Sequence, residues 1–240
     1  MRLSSTDRGA IDRLKNHFIS KMIPGVGTWG EIDALRGWKD DFFGDSIHEQ
    51  YTAVSAGAGS GGALQNNAHG GVYLLTAGAT SGFYHYLWLG NAADGYATLD
   101  ADLGWVQIAY LRHIDSGAAG NQQTTFGASN AAISRYIQAG INEVVVAGNW
   151  MIDCQDAAGR TTVDSGVAYD SGWHWHVLSV YPITGGGRQA DYLLDGALIA
   201  SNTANIFTDP ITPIIRCYAQ SANQRRLELD FWGVIPRNLV

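Results

Sequence analysis

Charged residues, prolines and cysteines are all scarce in this 240-residue chain. Lys, Arg, Asp and Glu together make up 15% of the sequence, and there are 5 Pro and 2 Cys. Cys154 and Cys217 lack the spacing of a redox or metal-binding pair, so we expect two small reduced core residues rather than a disulfide framework. No apolar run reaches the roughly 18 residues of a membrane span, and the N-terminus lacks the pattern of a secretory signal. We therefore expect a protein that folds in the cytoplasm and stays out of membranes.

The few charges are unevenly distributed along the chain, whose formal net charge is −7. Residues 1–39 contain 7 Lys and Arg against 4 Asp and Glu, whereas the remainder contains 8 against 18. An acidic body repels nucleic-acid phosphates, which argues against nucleic acid as a partner. The basic N-terminal part is instead suited to docking on an acidic surface, such as that of a neighbouring subunit.

Glycine and aromatic residues are abundant, with 30 Gly, 8 Trp and 11 Tyr. Aromatic and β-branched residues favour strands. The runs that have strand length and alternating polarity are 72–76, 83–89, 105–112, 133–138, 144–147, 150–154, 161–167, 173–180, 192–194, 197–201 and 227–234. Asp195-Gly196 between two of these runs is typical of a two-residue hairpin turn. The pattern predicts an all-β sandwich, or jelly roll, over residues 40–240.

A helix is predicted only near the N-terminus, within residues 1–39. Ser4 and Asp7 have the spacing of a capping box, and Pro24 with Gly25 ends the pattern. The apolar residues that share one face of this helix are Ile11, Leu14, Phe18 and Met22. Such a face must be covered, either by the sandwich of the same chain or by a neighbouring subunit. We expect a docking arm over residues 1–39, with packing on its own domain as the alternative.

Several strand motifs occur in an order that resembles a known family. They are Gly70 to Thr76, Trp175 to Val180, Asp195-Gly196 with Ile199 to Ser201, Thr212-Pro213, and the closing Leu227 to Phe231. This order resembles the concanavalin A-like lectin and glucanase jelly-roll domains found in structural proteins of tailed phages. The resemblance covers roughly residues 40–235 and implies a jelly-roll sandwich. It also implies a setting in a virion, although one fold hosts many functions.

The closing strand carries two acidic residues in a pattern that is close to a catalytic motif. Glycanases of the resembled fold use E-x-D-x-x-E, and in retaining enzymes the two catalytic carboxyl groups lie about 5–5.5 Å apart. Glu228 and Asp230 are present here, but Gly233 stands where the third carboxylate would be. We therefore expect no enzyme activity. Strict alternation would place Glu228 and Asp230 on one face of the strand. Leu229 and Phe231 would then lie together on the opposite, buried face.

Two groups of residues are candidate metal ligands. His174 and His176 share one strand face, but no acidic third ligand lies near them in the sequence, so we expect a structural pair. The resembled fold often carries Ca²⁺, which takes six to eight oxygen ligands. The oxygen donors for such an ion are Asp40, Asp41, Asp45 and Asp230. We expect no required cofactor, with Ca²⁺ as the one ion to consider.

A short aromatic stripe is the candidate for carbohydrate binding. Tyr84, Tyr86 and Trp88 alternate along one strand and therefore share a face. Sugars stack their apolar faces on such rings, while Asn and Asp side chains bind their hydroxyl groups. A stripe of this kind is more often core or subunit interface, so the sequence leaves both interpretations open.

Three hypotheses for function follow. The first is a non-enzymatic structural protein of a tailed-phage virion, which decorates the capsid or forms part of the tail or fibre. Such a protein would be assembled in the host cytoplasm and would bury apolar and aromatic surface against copies of itself and other virion proteins. The second is an adhesin that binds host-surface glycans through the same sandwich. The third is a degenerate glycanase.

Overall fold

The computed structural model describes residues 38–40, 51–65, 71–90, 99, 102–114, 122–208, 211–219 and 224–236. Within these ranges the chain forms fifteen strands. In chain order they are β1 Trp38–Asp40, β2 Tyr51–Ala56, β3 Gly61–Gln65, β4 Val72–Ala77, β5 Tyr84–Leu89, β6 Trp105–Ile114, β7 Gln122–Ser129, β8 Tyr136–Asn142, β9 Asn149–Gln155, β10 Arg160–Ala168, β11 His174–Pro182, β12 Arg188–Leu194, β13 Ala197–Asn202, β14 Thr212–Ala219 and β15 Arg225–Pro236. None of these ranges contains a helix able to cross a membrane.

The described strands form two antiparallel sheets. The first has eight strands in the order β13-β12-β11-β6-β15-β4-β3, with β1 paired to β15 beside this path. The second has seven strands in the order β10-β9-β8-β7-β14-β5-β2. Neighbours such as β7 and β14 are far apart in sequence yet paired in register. The all-β sandwich predicted from the sequence is the observed fold.

The main core lies between the two sheets, where the inward residues of alternating strands meet. Phe126 and Ile152 from the seven-stranded sheet join Leu178 and Trp232 from the eight-stranded sheet, all at most 1% exposed. Burying a large apolar side chain stabilises the fold by about 1.5–3 kcal/mol. This inter-sheet cluster is therefore the principal source of stability.

The two cysteines are small residues of this core, as predicted. Cys154 on β9 and Cys217 on β14 are free thiols and fully buried, with β7 and β8 between their strands. Burial raises the pKa of Cys217 to about 12, and it raises the pKa of Cys154 as well. Because the thiolate is the reactive form, both side chains are chemically inert at neutral pH.

Each sheet also carries a buried cluster on its outer face. Outer cluster A, on the eight-stranded sheet, consists of Val106, Ile108, Trp175, Val177, Phe231 and Ile235. Outer cluster B, on the seven-stranded sheet, consists of Tyr86, Trp88 and Ile214. Antiparallel sheets commonly leave one face to solvent, whereas both sheets here are buried on both sides at these positions.

The closing strand β15 changes the direction in which its side chains face. In its pairing with β6 the register shifts between Leu229 and Phe231, which leaves Asp230 as an extra residue. Such a β-bulge moves the alternation by one position. Leu229 therefore faces the main core, Phe231 joins outer cluster A, and Trp232 takes the inward place. The prediction that Leu229 and Phe231 share a face is wrong, although both are fully buried.

Most strands predicted from the sequence are present, and the hairpin between β12 and β13 is confirmed. Asp195 and Gly196 have φ angles of 50° and 86°, and both angles must be positive in a type I′ turn. The Asp195 carboxylate also accepts a hydrogen bond of 2.9 Å from the Trp175 backbone amide, which ties the turn to β11.

Two of the predicted strands need correction. Residues 144–147 form a turn, in which two successive amides donate to the carbonyl of Asn142. The strand predicted over 133–138 begins only at β8, because Ile133 has a φ of 51° in a turn closed on Asn130. In both places apolar composition indicated a strand where local hydrogen bonding forms a turn.

The predicted N-terminal arm, with Ile11, Leu14, Phe18 and Met22, lies outside the described residues. Nearer the sandwich, β1 pairs with β15 and places Asp40 opposite Trp232. At the far side of the sandwich, β10 and β13 are edge strands of the two sheets and lie beside each other, joined by a hydrogen bond from Asn205 to Thr161. The ladder between β10 and β9 is interrupted between residues 164 and 168.

We expect Phe231→Ala to lower the free energy of unfolding by about 3–5 kcal/mol. The reason is that its ring is fully buried in outer cluster A, with the Trp175 ring at a centroid distance of 5.7 Å. Leu198→Ala is the control, since Leu198 is 59% exposed and its truncation should change stability by less than about 0.5 kcal/mol. Urea unfolding followed by circular dichroism measures both. Equal midpoints for the two variants would contradict the assignment of Phe231 to a packed cluster.

Candidate functional site

A row of polar side chains crosses the outer face of the seven-stranded sheet. This polar row consists of Thr125, Gln138, Asp153, Arg160 and Arg216, one from each of β7, β8, β9, β10 and β14. The strand pairing places Arg216 opposite Thr125 and Gln138 opposite Asp153. All of them except Arg160 are more than nine-tenths buried. Buried polar groups are costly unless they are hydrogen-bonded. Hydrogen bonds within the row and from Thr162 satisfy most of its polar atoms, and Arg216 Nε is an exception.

Asp153 accepts four hydrogen bonds within this part of the sheet. Arg160 donates from Nε to Oδ1 at 2.8 Å and from Nη2 to Oδ2 at 2.6 Å, in a bidentate pair. Thr162 Oγ1 donates to Oδ1 at 3.0 Å, and Gln138 Nε2 donates to Oδ2 at 3.1 Å. With both oxygens engaged, this carboxylate holds its neighbours in position.

Arg216 lies at the other end of the row. Its Nη1 donates to Gln138 Oε1 at 2.8 Å, an oxygen that also accepts from Thr125. The guanidinium carbon lies 5.4 Å from the ring centroid of Tyr86 and 6.0 Å from that of Tyr136, within cation–π range. Its Nε has no hydrogen-bond partner, and no carboxylate of the described residues forms an ion pair with it.

The phenols beside Arg216 are protonated at neutral pH. Burial raises the pKa of Tyr136 to about 12. Burial also raises the pKa of Tyr86, and the neighbouring Arg216 offsets this only in part. A protonated phenol donates and accepts hydrogen bonds. These two hydroxyl groups are therefore binding groups rather than phenolate bases.

The predicted aromatic stripe lies on this same sheet face. Tyr84 and Tyr86 stack with ring centroids 4.2 Å apart and an interplanar angle of 11°. Tyr86 and Trp88 are only 7% and 3% exposed, so they pack in outer cluster B, whereas Tyr84 is half-buried. Tyr218, which the sequence analysis did not single out, pairs directly with Tyr84 and is also half-buried. The accessible rings are thus Tyr84 and Tyr218, and a role of the stripe in glycan binding remains a prediction.

Two glycines fill positions of this face where other strands carry side chains. Gly127 is opposite Gln138 and Gly140 is opposite Thr125, with φ angles of 154° and 136°. A Cβ added to Gly127 would lie 2.1 Å from the Ile137 carbonyl oxygen, and backbone crowds Gly140 in the same way. Glycine is therefore required at both positions, and it keeps the middle of the polar row free of further side chains.

The acidic pair of the closing strand lies on the other sheet. Glu228 precedes the inward Leu229 on β15 and so faces outward from the eight-stranded sheet. Its carboxylate accepts a hydrogen bond of 2.6 Å from Arg112 Nε, and the Arg112 guanidinium lies 5.1 Å from the Trp173 ring centroid. Asp230 occupies the bulge. Neither residue joins the polar row.

The predicted calcium ligands fall only partly within the described residues. Asp41 and Asp45 lie outside them, and Asp40 is described only through the pairing of β1, two positions from Asp230 along β15. Among the described residues, no group of three or more His, Cys, Asp or Glu side chains is arranged to hold a metal. A Ca²⁺ site formed by these aspartates remains a prediction.

Histidines form a cluster inside the main core. The rings of His113 and His176 have centroids 6.0 Å apart, and both contact the Trp150 ring at 5.0 Å and 5.1 Å. His176 Nδ1 hydrogen-bonds to the Tyr192 hydroxyl at 2.7 Å, and His113 Nδ1 to the Thr124 hydroxyl. The Nε2 atoms of both histidines are buried without a partner. These contacts make the two rings structural.

His174 lies on the same strand face as His176 but in a different environment. Its Nδ1 lies 2.6 Å from Asp195 and its Nε2 lies 2.8 Å from Asp170. Burial lowers the pKa of His174, but hydrogen bonds to Asp195 and Asp170 outweigh this and raise it. Asp195 lies in the β12–β13 hairpin, far along the chain, whereas Asp170 lies only four residues before His174 in the turn before β11. The expectation that no acidic residue lies near the histidines in the sequence is therefore wrong. With both ring nitrogens engaged, His174 stabilises the junction of these turns.

Comparison with solved structures identifies the fold. The chain is similar to endo-β-1,4-glucuronan lyase from the fungus Trichoderma reesei, with a TM-score of 0.57, 13% identity and coverage of 82% of this chain and 94% of that one. The Emp47p carbohydrate recognition domain has a TM-score of 0.55, 10% identity and coverages of 85% and 96%. A prokaryotic β-1,3-1,4-glucanase (lichenase) from a mouse hindgut metagenome has a TM-score of 0.53, 10% identity and coverages of 83% and 99%. The fold is therefore the concanavalin A-like jelly roll of glucanases and lectins.

No protein-family model matches the sequence, and no curated protein matches it. At identities of 10–13%, the structural likeness shows the fold alone. A function for this chain has to be argued from its own side chains.

We expect the free energy of unfolding to fall as the pH drops below about 6.5, the usual pKa of histidine. Burial lowers the pKa of His113 to about 3 and that of His85 to about 4, and it lowers the pKa of His176 as well. In the unfolded chain these histidines take up protons at pH values at which the buried rings of the folded protein stay neutral. Their contribution to stability is thus complete above pH 6.5 and is lost as the pH falls toward the folded-state values, at up to about 1.4 kcal/mol per pH unit for each ring.

The contribution of His174 to stability depends on pH in the opposite direction, because its pKa is raised on folding. Its contribution is complete below pH 6.5 and is lost as the pH rises through the folded-state value. His174→Gln should therefore make the loss of stability on acidification steeper. Urea unfolding of the parent and the variant at pH 7, 6 and 5 measures both slopes. A parent protein that is equally stable at all three values would contradict the neutral state of the buried rings.

Proposed function

We propose that the protein binds carbohydrate through the outer face of its seven-stranded sheet. The observation that carries the proposal is the joining of the polar row and two half-buried tyrosines, Tyr84 and Tyr218, on one face. Small-molecule sites combine apolar and aromatic surface with a few fixed polar groups that orient the ligand. A sugar ring, which has an apolar face and a rim of hydroxyl groups, fits such a surface.

The tyrosines supply the aromatic part of this surface. Tyr84 on β5 and Tyr218 on β14 are paired residues of adjacent strands, so their side chains emerge next to each other. The stack of Tyr84 on the buried Tyr86 holds its ring in place. A rigid amphipathic ring loses little conformational entropy on binding, which favours its use as a contact surface.

The polar row supplies donors whose positions are already fixed. The Arg160 side chain is 38% exposed, and its guanidinium uses only two of its five N–H groups on Asp153. The remaining donors are available to a hydroxyl group of a ligand. Because Asp153, which itself accepts a hydrogen bond from Thr162, holds the arginine in place before binding, little further ordering is needed.

The nature of the fold neighbours supports the choice of ligand class. A carbohydrate recognition domain, a lichenase and a glucuronan lyase all share this fold with the chain. Their low identity carries no residue roles to this protein, so the proposed surface rests on the tyrosines and the polar row.

We propose that binding is not followed by hydrolysis. Glycoside hydrolysis uses two carboxyl groups on either side of the scissile bond. Asp153 is the one carboxylate of the polar row, and four donors engage it. Glu228, the remaining part of the motif-like sequence, is paired with Arg112 on the other sheet.

A structural role in a tailed-phage virion remains a prediction that rests on the sequence resemblance. Self-association, virion partners and virion localisation rest on the same ground. This hypothesis is compatible with the proposed binding, because an adhesin on a tail or fibre would be both a virion component and a glycan-binding protein.

Tyr84→Ala and Tyr218→Ala should each weaken glycan binding by about 0.5–1.5 kcal/mol, the range for a ring contact. Tyr181→Ala is the matched control, since Tyr181 is a half-buried tyrosine of the eight-stranded sheet. A glycan array identifies a ligand, and titration calorimetry compares the variants. Binding to no glycan, or equal losses in all three variants, would contradict the proposed surface.

Incubation with β-glucan should release no new reducing ends, and Glu228→Gln should leave this result unchanged. The physical reason is the absence, among the described residues of the polar row, of a second carboxylate. A reducing-sugar assay checks hydrolysis. Turnover that disappears in Glu228→Gln would overturn the non-enzymatic assignment.

A further inference from the structure

Arg216 gives the proposed binding face a positive charge that no described carboxylate neutralises. The one carboxylate of the polar row, Asp153, is already paired with Arg160 at 2.6 Å. Arg216 reaches it only through the side chain of Gln138, which accepts from the arginine and donates to the aspartate. The polar row therefore carries one neutral ion pair and one additional cation.

The guanidinium of Arg216 has unused donor capacity. The residue is 7% exposed, Nη1 donates to Gln138, a further side-chain hydrogen bond joins the guanidinium to Tyr86, and Nε has no partner. A buried charge is costly unless it is paired and hydrogen-bonded. The faces of Tyr86 and Tyr136 offset this cost in part, at 5.4 Å and 6.0 Å from the guanidinium carbon. The Nε atom is itself inaccessible, so an anionic ligand would offset this cost through the charge of the guanidinium and its terminal N–H groups.

We infer that the glycan bound at this face carries a carboxylate, as a uronic acid does, and that Arg216 binds that group. This inference rests on the proposed glycan-binding function. The planar fork of N–H groups in a guanidinium matches the two oxygens of a carboxylate. The protonated phenols of Tyr86 and Tyr136 stand beside it as further hydrogen-bonding groups.

The position of Arg216 relative to the accessible rings fits an acidic sugar. Arg216 pairs with Tyr86, and Tyr218 pairs with Tyr84, so the cation and the half-buried rings are two residues apart along β5 and β14. Two residues of a strand span about 7 Å. A sugar that stacks on Tyr84 and Tyr218 can thus direct a carboxylate substituent toward Arg216.

The net charge of the chain makes the binding of an acidic glycan depend on a local cation. With a formal charge of −7, the protein as a whole repels anions. An acidic glycan binds such a protein only where a local cation overcomes that repulsion, and Arg216 is such a cation on the proposed face. Binding of the acidic ligand should accordingly weaken as salt screens the interaction.

The test compares two matched probes by titration calorimetry. One is an oligosaccharide of β-1,4-linked glucuronate, and the other is the same oligosaccharide with its carboxyl groups reduced to alcohols. The parent protein should bind the uronate about tenfold or more tightly than the reduced form, as expected for hydrogen bonds to a charged group. Equal affinity for both probes would overturn the inference and leave the proposed glycan binding intact.

Two substitutions then assign the preference to a residue. Arg216→Gln should bring the ratio of the two affinities, uronate over reduced probe, close to one, whatever its effect on the affinity for the reduced probe. Arg112→Gln removes the same charge from the other sheet and should change neither affinity. An unchanged preference in a folded Arg216→Gln protein would overturn the role of Arg216.

Further outcomes separate this inference from the function on which it rests. If Arg216→Gln does not fold, Arg216→Lys keeps the charge without the fork and should retain only part of the preference. Binding of neither probe by the parent protein overturns the carboxylate inference. The proposed function itself fails only if the parent also binds no member of a glycan array.

Discussion

The middle strands of the seven-stranded sheet are buried on both faces, and this constraint governs the arrangement of the site. On the inner face the buried positions are filled by apolar side chains such as Phe126 and Ile152. The outer face carries charge, and the cost of removing an unpaired charge from water amounts to several kcal/mol. Asp153 accepts four hydrogen bonds, which offset that cost. The same bonds fix the positions of Arg160 and Gln138. The geometry of the polar row follows from the need to satisfy one carboxylate.

Much of the fold could be predicted from the sequence, because strands and tight turns are encoded locally. Alternating polarity indicates β4, β6 and β11, and the turn at Asp195-Gly196 follows from two residues that tolerate positive φ. The bulge at Asp230 was not predictable in this way. Both Leu229 and Phe231 are apolar, so the sequence reads the same whether the two face one side or opposite sides.

Only the aromatic part of the candidate site could be predicted from the sequence. The stripe of Tyr84, Tyr86 and Trp88 lies within one strand and was therefore recognisable. The polar row joins strands that are distant along the chain, and Gln138 and Arg216 are 78 positions apart. One local signal existed, since Gln138 and Asp153 each interrupt an apolar run within a strand. That signal marks a buried polar residue, but only the register of five strands shows which residues meet.

The interrupted ladder of β10 limits the ways in which copies of this chain can meet. β10 is an edge strand, and a regular edge offers its free N–H and C=O groups to a strand of another molecule. Here the pairing with β9 slips between Asp164 and Ala168, so the outward groups are not evenly spaced along the strand. An incoming strand would find hydrogen-bond partners on either side of the break but not across it. A continuous sheet along the full length of this edge is thereby disfavoured, and association across the break has to depend on side chains.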